Sequence, residues 1–252
     1  MGLKKESMIL ILLGTVLLSG CALNSSEQSL IEGQPTKKSE LKNNQATMNS
    51  EQESETWSSE NNEVKVSAIK INEFGTPEFV SVEVNGKKKE FNWIVAEKPQ
   101  IFFTDVTGDS KPEAIIINNI GRGTGLSVNE VHVLNSDDLS EIKVPSFEEI
   151  ARDHIETHVI KNDKGNLKIK VNALGENYEF TYNVDPSVEV QDKLLFGGSV
   201  TYALEKQKVI LNIGGSVGTS PIYVTGFHVT YQFDSSKNEF FVDQIEVKSY
   251  GS

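Results

Sequence analysis

From Val64 onward, apolar and polar positions mostly alternate, with the period of two that turns one side of a strand into a core. VKVSAIKI (64–71), LSVNEVHVL (126–134), SVTYALEKQKVILNI (199–213), YVTGFHVTYQF (223–233) and EFFVDQIEV (239–247) carry that pattern. FVSVEVNGKKKEFNWIV (79–95) adds a hairpin signal, because Asn85-Gly86 suits a type I′ turn with positive φ at both central residues. LKIKVNALGENYEFTYNV (167–184) reads as another hairpin, turning near Gly175-Glu176-Asn177. AIIIN (114–118) is a continuous apolar run, as expected of a central strand. One segment has a different period. In SFEEIARDHIETHVI (146–160), Phe147, Ile150, Ala151, Ile155 and Val159 recur at helical spacing behind a Ser146 cap, with Glu148 and Glu149 in the first turn. The pattern predicts a mainly β protein of antiparallel strands with one short amphipathic helix.

Upstream of residue 63 the periodicity disappears. Residues 21–62 are rich in Ser, Glu, Asn, Gln and Lys, a composition that cannot bury enough surface to offset ordering entropy. They read as a disordered tether, with Trp57 an exposed linker residue, and the globular domain is expected over 63–252. Residues 1–20 read as a signal peptide. Lys4 and Lys5 precede the apolar run MILILLGTVLL (8–18), which is too short to span a bilayer as a helix. LSGC, ending in Cys21, resembles the lipobox of bacterial lipoproteins. That resemblance implies cleavage before Cys21, acylation of its thiol (palmitate-type chains) and anchoring on the extracytoplasmic face of the cell membrane. Cys21 is the only cysteine, so the domain has no internal disulfide. The formal net charge of −12 argues against nucleic acid and anionic headgroups as partners.

The loop DVTGDSKPE (105–113) carries the candidate chemistry. Asp105, Thr107, Asp109, Lys111 and Glu113 occupy alternate positions, with Gly108 where the turn can need positive φ. Calcium takes six to eight oxygen ligands, and this set offers carboxylates, a hydroxyl and the Lys111 carbonyl. The segment from Asp105 to Asn118 resembles the calcium loops of FG-GAP and VCBS-type repeats, in which D-x-N/D-G-D-G-x-x-D precedes an apolar strand. It is also similar to small surface lipoproteins of Gram-positive bacteria that carry such a segment. Thr107 and Ser110 depart from the repeat, which usually has Asn or Asp and then Gly. The resemblance implies a structural Ca2+ and strands arranged as a partial propeller or a sandwich; one loop of this kind does not make a complete propeller.

Other motifs are weaker. GGSVG (214–218) fits G-x-S-x-G around Ser216, but Pro221 and β-branched residues follow it and no acid stands between 217 and 227 before His228, so a Gly-rich hairpin loop is expected. HIETH places His154 and His158 at i and i+4 of the expected helix, a spacing that can share zinc, although an ordinary polar face explains it. GRGTG (121–125) offers backbone amides and Arg122 to an anion, or a plain turn. AIIINNIGRGTGLSVNEVHVL (114–134) and VILNIGGSVGTSPIYVTGFHVTY (209–231) echo each other as a strand–loop–strand unit. The reading is a membrane-anchored, non-enzymatic binding or interaction module for a surface or wall ligand. The alternative is a cell-wall-directed hydrolase using dispersed carboxylates such as Glu130, Asp137 and Glu141.

Overall fold

A computed structural model describes residues 55–251 of the protein. The signal peptide, Cys21 and nearly all of the expected tether lie outside the described residues. The fold is mainly β, in antiparallel sheets, with one short helix.

The first sheet is a meander of β1 (Thr56–Ser58), β2 (Val64–Ile71), β3 (Pro77–Val84) and β4 (Lys87–Phe91). Its third connection is the expected Asn85-Gly86 turn, with φ of 51° and 76°. Trp57 is not an exposed linker residue: it sits in β1, pairs in register with Val66 and packs on the core beneath this sheet. A lone tryptophan among polar residues carries no period, so its partner was invisible in the sequence.

The second sheet begins with β5 (Gln100–Thr104), β6 (Glu113–Gly123) and β7 (Leu126–Leu134), with a short β8 (Glu141–Ile142) beside β7. Next come the helix α1 (Phe147–His154) and a three-stranded antiparallel sheet of β9 (Ile155–Lys161), β10 (Asn166–Ala173) and β11 (Glu176–Asn183). The chain then returns to the second sheet with β12 (Ser199–Glu205), β13 (Lys208–Val217), β14 (Ile222–Asp234) and β15 (Glu239–Ser249). The final order is β15-β14-β13-β12-β7-β6-β5. Every pairing in it is antiparallel except β12 on β7, where Ser199 and Val200 pair with Ser127 and Val128. The two segments that echo each other in sequence are both long hairpins of this sheet, β6–β7 and β13–β14, each with a bulge at a glycine.

The helix expected over 146–160 ends at His154. Its start follows the sequence signal: the Ser146 side chain accepts from the Glu149 amide, and the Glu149 carboxylate accepts from the Ser146 amide. Ile155 to Lys161 are a strand. Ile155, Thr157 and Val159 are buried while Glu156, His158 and Ile160 are exposed, so positions four apart fit both periods and Thr157 decides for two. Three β-branched residues on the inner face also favour a strand, because their stiff χ1 packs well on a pleated surface.

Two cores result. The larger joins Ile115, Ile117 and Val133 to the inner faces of β9–β15 and to Ile150 of α1. The smaller joins Val64, Val66, Val80, Val82 and Val84 of the first sheet to Ala114, Ile116 and Leu134. Ser146→Ala removes the cap of an eight-residue helix and is expected to cost about 1 kcal/mol. Ile150→Ala, the one α1 residue fully buried, is expected to cost about 2–4 kcal/mol. Chemical denaturation of each variant checks both figures.

Candidate functional site

The loop between β5 and β6 opens from the Thr104–Glu113 pair that ends their ladder. It is closed by its own carboxylates. Asp105 Oδ1 accepts from the amides of Thr107 (3.2 Å) and Gly108 (2.6 Å), and Oδ2 accepts from the amide of Ser110 (2.9 Å). These amides, led by that of Gly108, hold the Asp105 carboxyl below the usual carboxylate range. Asp109 Oδ1 accepts from the Lys111 amide at 2.8 Å. Gly108 has φ of +82°, as the turn requires, and Ser110 has φ of +70°. Ser110 therefore adopts the left-handed conformation that glycine takes most readily, at a cost of about 1 kcal/mol.

Glu113 is the buried member of the set, 3% exposed at the first position of β6. Its Oε2 accepts from the Val106 amide (3.0 Å) and its Oε1 from the Thr107 hydroxyl (3.4 Å). Burial raises its pKa, and the charges of Asp109 and Asp105 raise it further. Asp105, Thr107, Asp109 and Glu113 are thus brought to one loop. Lys111 points away from it: its ammonium pairs with Asp137 at 2.7 Å, both side chains being largely exposed. The turn that carries Asp137 is also held by Lys87, which donates to the Asp137 carbonyl, and by Lys89, which donates to the Leu139 carbonyl at 2.9 Å.

The donor set is the hard-oxygen kind that calcium takes. A carboxylate has about four lone-pair sites, so the amide bonds and the Thr107 hydroxyl bond leave one open on Asp105, three on Asp109 and two on Glu113. The fit is partial. Among the described residues, no three His, Cys, Asp or Glu side chains stand together as a metal-holding group.

The remaining sequence candidates have other roles. Ser216 lies buried within β13, where its amide donates to the Leu195 carbonyl, so it stands on a strand and not on an elbow. His154 ends α1 while His158 is on the outer face of β9, so their helical spacing is lost. Arg122 pairs with Glu97 at 2.6 Å. His228 Nδ1 bonds Asn212 at 2.8 Å.

Glu141 and Glu130 do come together, around His132. Its Nδ1 lies 2.7 Å from Glu141, its Nε2 lies 3.8 Å from Glu130, and its ring stacks on Trp93 at 3.8 Å, which stacks in turn on Phe91 at 4.2 Å. This stack pins the segment after β4 against β7. Sequence reasoning flagged His132 singly; Trp93 gave no signal, because the two residues meet only once sheets are packed. Among the described residues no helix is long and apolar enough to cross a membrane.

No family model matches this chain, and no match was found to a curated protein or to a solved structure.

The raised pKa of Glu113 sets a sign. Its ionisation opposes folding, so the stability from its neutral form is present below the unfolded-state pKa and is lost as pH rises through the folded one. In EDTA, Glu113→Gln should therefore be as stable as the parent or more so at neutral pH, and should lose this falling limb of the pH–stability curve. Urea titrations from about pH 4 to pH 7 measure it; a parent and variant with parallel curves would contradict the assignment.

Proposed function

We propose that this protein is a lipid-anchored, extracytoplasmic interaction module without catalytic activity, held to the membrane through Cys21, whose 105–113 loop takes one structural calcium ion. The observation that carries the calcium reading is the Glu113 carboxylate, buried in one loop with Asp105 and Asp109; burial raises its proton affinity, and the charges of Asp109 and Asp105 raise it further. A divalent cation relieves that repulsion, and its binding energy adds to folding. Asp109 has the most open lone pairs and contributes the most directly. The amides on Asp105 hold the loop in shape in either state, so the ion stiffens a formed turn and does not create it.

Support for the interaction reading comes from what the candidate catalytic groups do. Ser216, Arg122 and His228 are engaged in hydrogen bonds to Leu195, Glu97 and Asn212, and Glu130 and Glu141 flank His132. The lipobox resemblance at Cys21 carries the location.

Millimolar calcium is expected to raise the melting temperature by a few degrees, on the order of 1 kcal/mol. EDTA should reverse the shift and Asp109→Ala should abolish it. The same transition with and without calcium in the parent would sink the metal. Labelling with an alkyne fatty acid should mark the parent in membranes and spare Cys21→Ser, which should be recovered in the medium. Equal labelling of both would remove the anchor from the reading.

A further inference from the structure

The strands at the sheet edges differ in one respect. β4 carries three lysines and a glutamate, β9 and β11 carry charges, and β15 carries Glu239, Asp243, Glu246 and Lys248. Such charges keep an open edge from pairing with other chains. β5, Gln100-Ile-Phe-Phe-Thr, carries none; among the described residues it is the one edge strand longer than three residues that lacks them. Among the described residues its only ladder neighbour is β6, so its outer backbone groups face a groove of about 870 Å³ that runs along the whole strand.

Two walls flank that groove. Ile101 of β5 packs on the smaller core under the first sheet, and Phe102 packs on the larger core, so the two faces of β5 look toward different walls. On the first face stands the β1–β2 turn with Glu60 and Glu63; on the second stand Leu204 at the end of β12 and Lys206 in the β12–β13 turn. The slot therefore continues the plane of the sheet, with the β5 edge as its floor. The exposed Glu60, Glu63 and Lys206, and Lys98 at the entrance to β5, take part in no ion pair among the described residues.

We propose that this groove binds an extended peptide segment of a partner protein, which adds to β5 as a further strand. Recognition by strand addition takes affinity from main-chain hydrogen bonds and selectivity from alternate side chains. The charges specify the alternation: residues on the face toward Glu60 and Glu63 are basic, and those on the face toward Lys206 are acidic. A second copy of this chain fits less well, because its own β5 lies recessed between the same two walls. The inference supplies the surface that the interaction-module reading needs and rests on that reading to this extent.

The probe is a blocked peptide, KEVTKEVT, which as a strand puts lysine on one face and glutamate on the other. Binding to the full chain is measured by fluorescence anisotropy, with amide hydrogen exchange read at residues 100–104. The expected result is saturable binding with exchange at those amides slowed about tenfold. The doubly substituted Glu60→Lys, Glu63→Lys chain, whose melting temperature is checked first, should bind about tenfold more weakly. N-methylation of alternate peptide nitrogens, on the edge that faces β5, should abolish binding with every side chain retained.

No binding, protection elsewhere than 100–104, or undiminished binding of the methylated peptide would overturn the groove. Protection of 100–104 by self-association of the chain alone would overturn it in favour of a second copy. The calcium response and Cys21 labelling are read on the same preparation. If they hold while the peptide fails, the groove falls and the module reading stands; if the peptide is cleaved on binding, the module reading falls.

Discussion

The structure depends on one strand having two inner faces. Along β6, Ile115 and Ile117 belong to the larger core while Ala114 and Ile116 belong to the smaller one, all four being essentially inaccessible to water. Antiparallel strands with one solvated face tolerate local error; this one does not. A slip of one residue against β7 would still place apolar side chains on both sides, but it would exchange the alanine and isoleucine contacts of two packed layers. Packing volume, more than polarity, has to hold this register. The long hairpin to β7 and the bulge past Asn119 are the local devices that fix it.

The acidic loop inherits its geometry from that strand. Glu113 is the first residue of β6, and so it is buried because the strand is. Its carboxylate then reaches back to the Val106 amide, while Asp105 gathers three further amides on the other side of the turn. Burial raises the proton affinity of Glu113, and the charges of Asp109 and Asp105 raise it further. The loop is thus a turn closed by its own carboxylates.

Much of this was legible in the sequence, because the signals were local. Alternation located β2 and β7 to the residue, Asn85-Gly86 located a hairpin, and the capping residues located the start of α1. The continuous run at 114–118 marked the strand that both cores share. The positive φ at Gly108 follows the expected turn. What failed was ambiguous or non-local. Ile155 and Val159, four apart, serve a helix and a strand equally, and only Thr157 between them distinguishes the two. Trp57 and Trp93 find partners through sheet packing, which no short window records. The bareness of the β5 edge is plain in its letters, but that β5 is an edge follows only from the strand order.

That order also bears on how the chain is completed. The join between β7 and β12 is a parallel pairing of two residues, Ser127–Ser199 and Val128–Val200, with a bond from the Ser127 amide to the Gly198 carbonyl. Some seventy residues, including α1 and a whole sheet, separate its two sides in the chain. As the polypeptide emerges from its N-terminus, the β5–β7 unit acquires its first-sheet cover early, but the core around Ile115, Ile117 and Val133 is completed only when the last four strands arrive. Closing so long a loop for so short a ladder is slow, since its entropy is lost before the contacts form. The interval before β12 docks is when an unguarded apolar sheet face is most open to other chains, and when shelter by a chaperone would matter most.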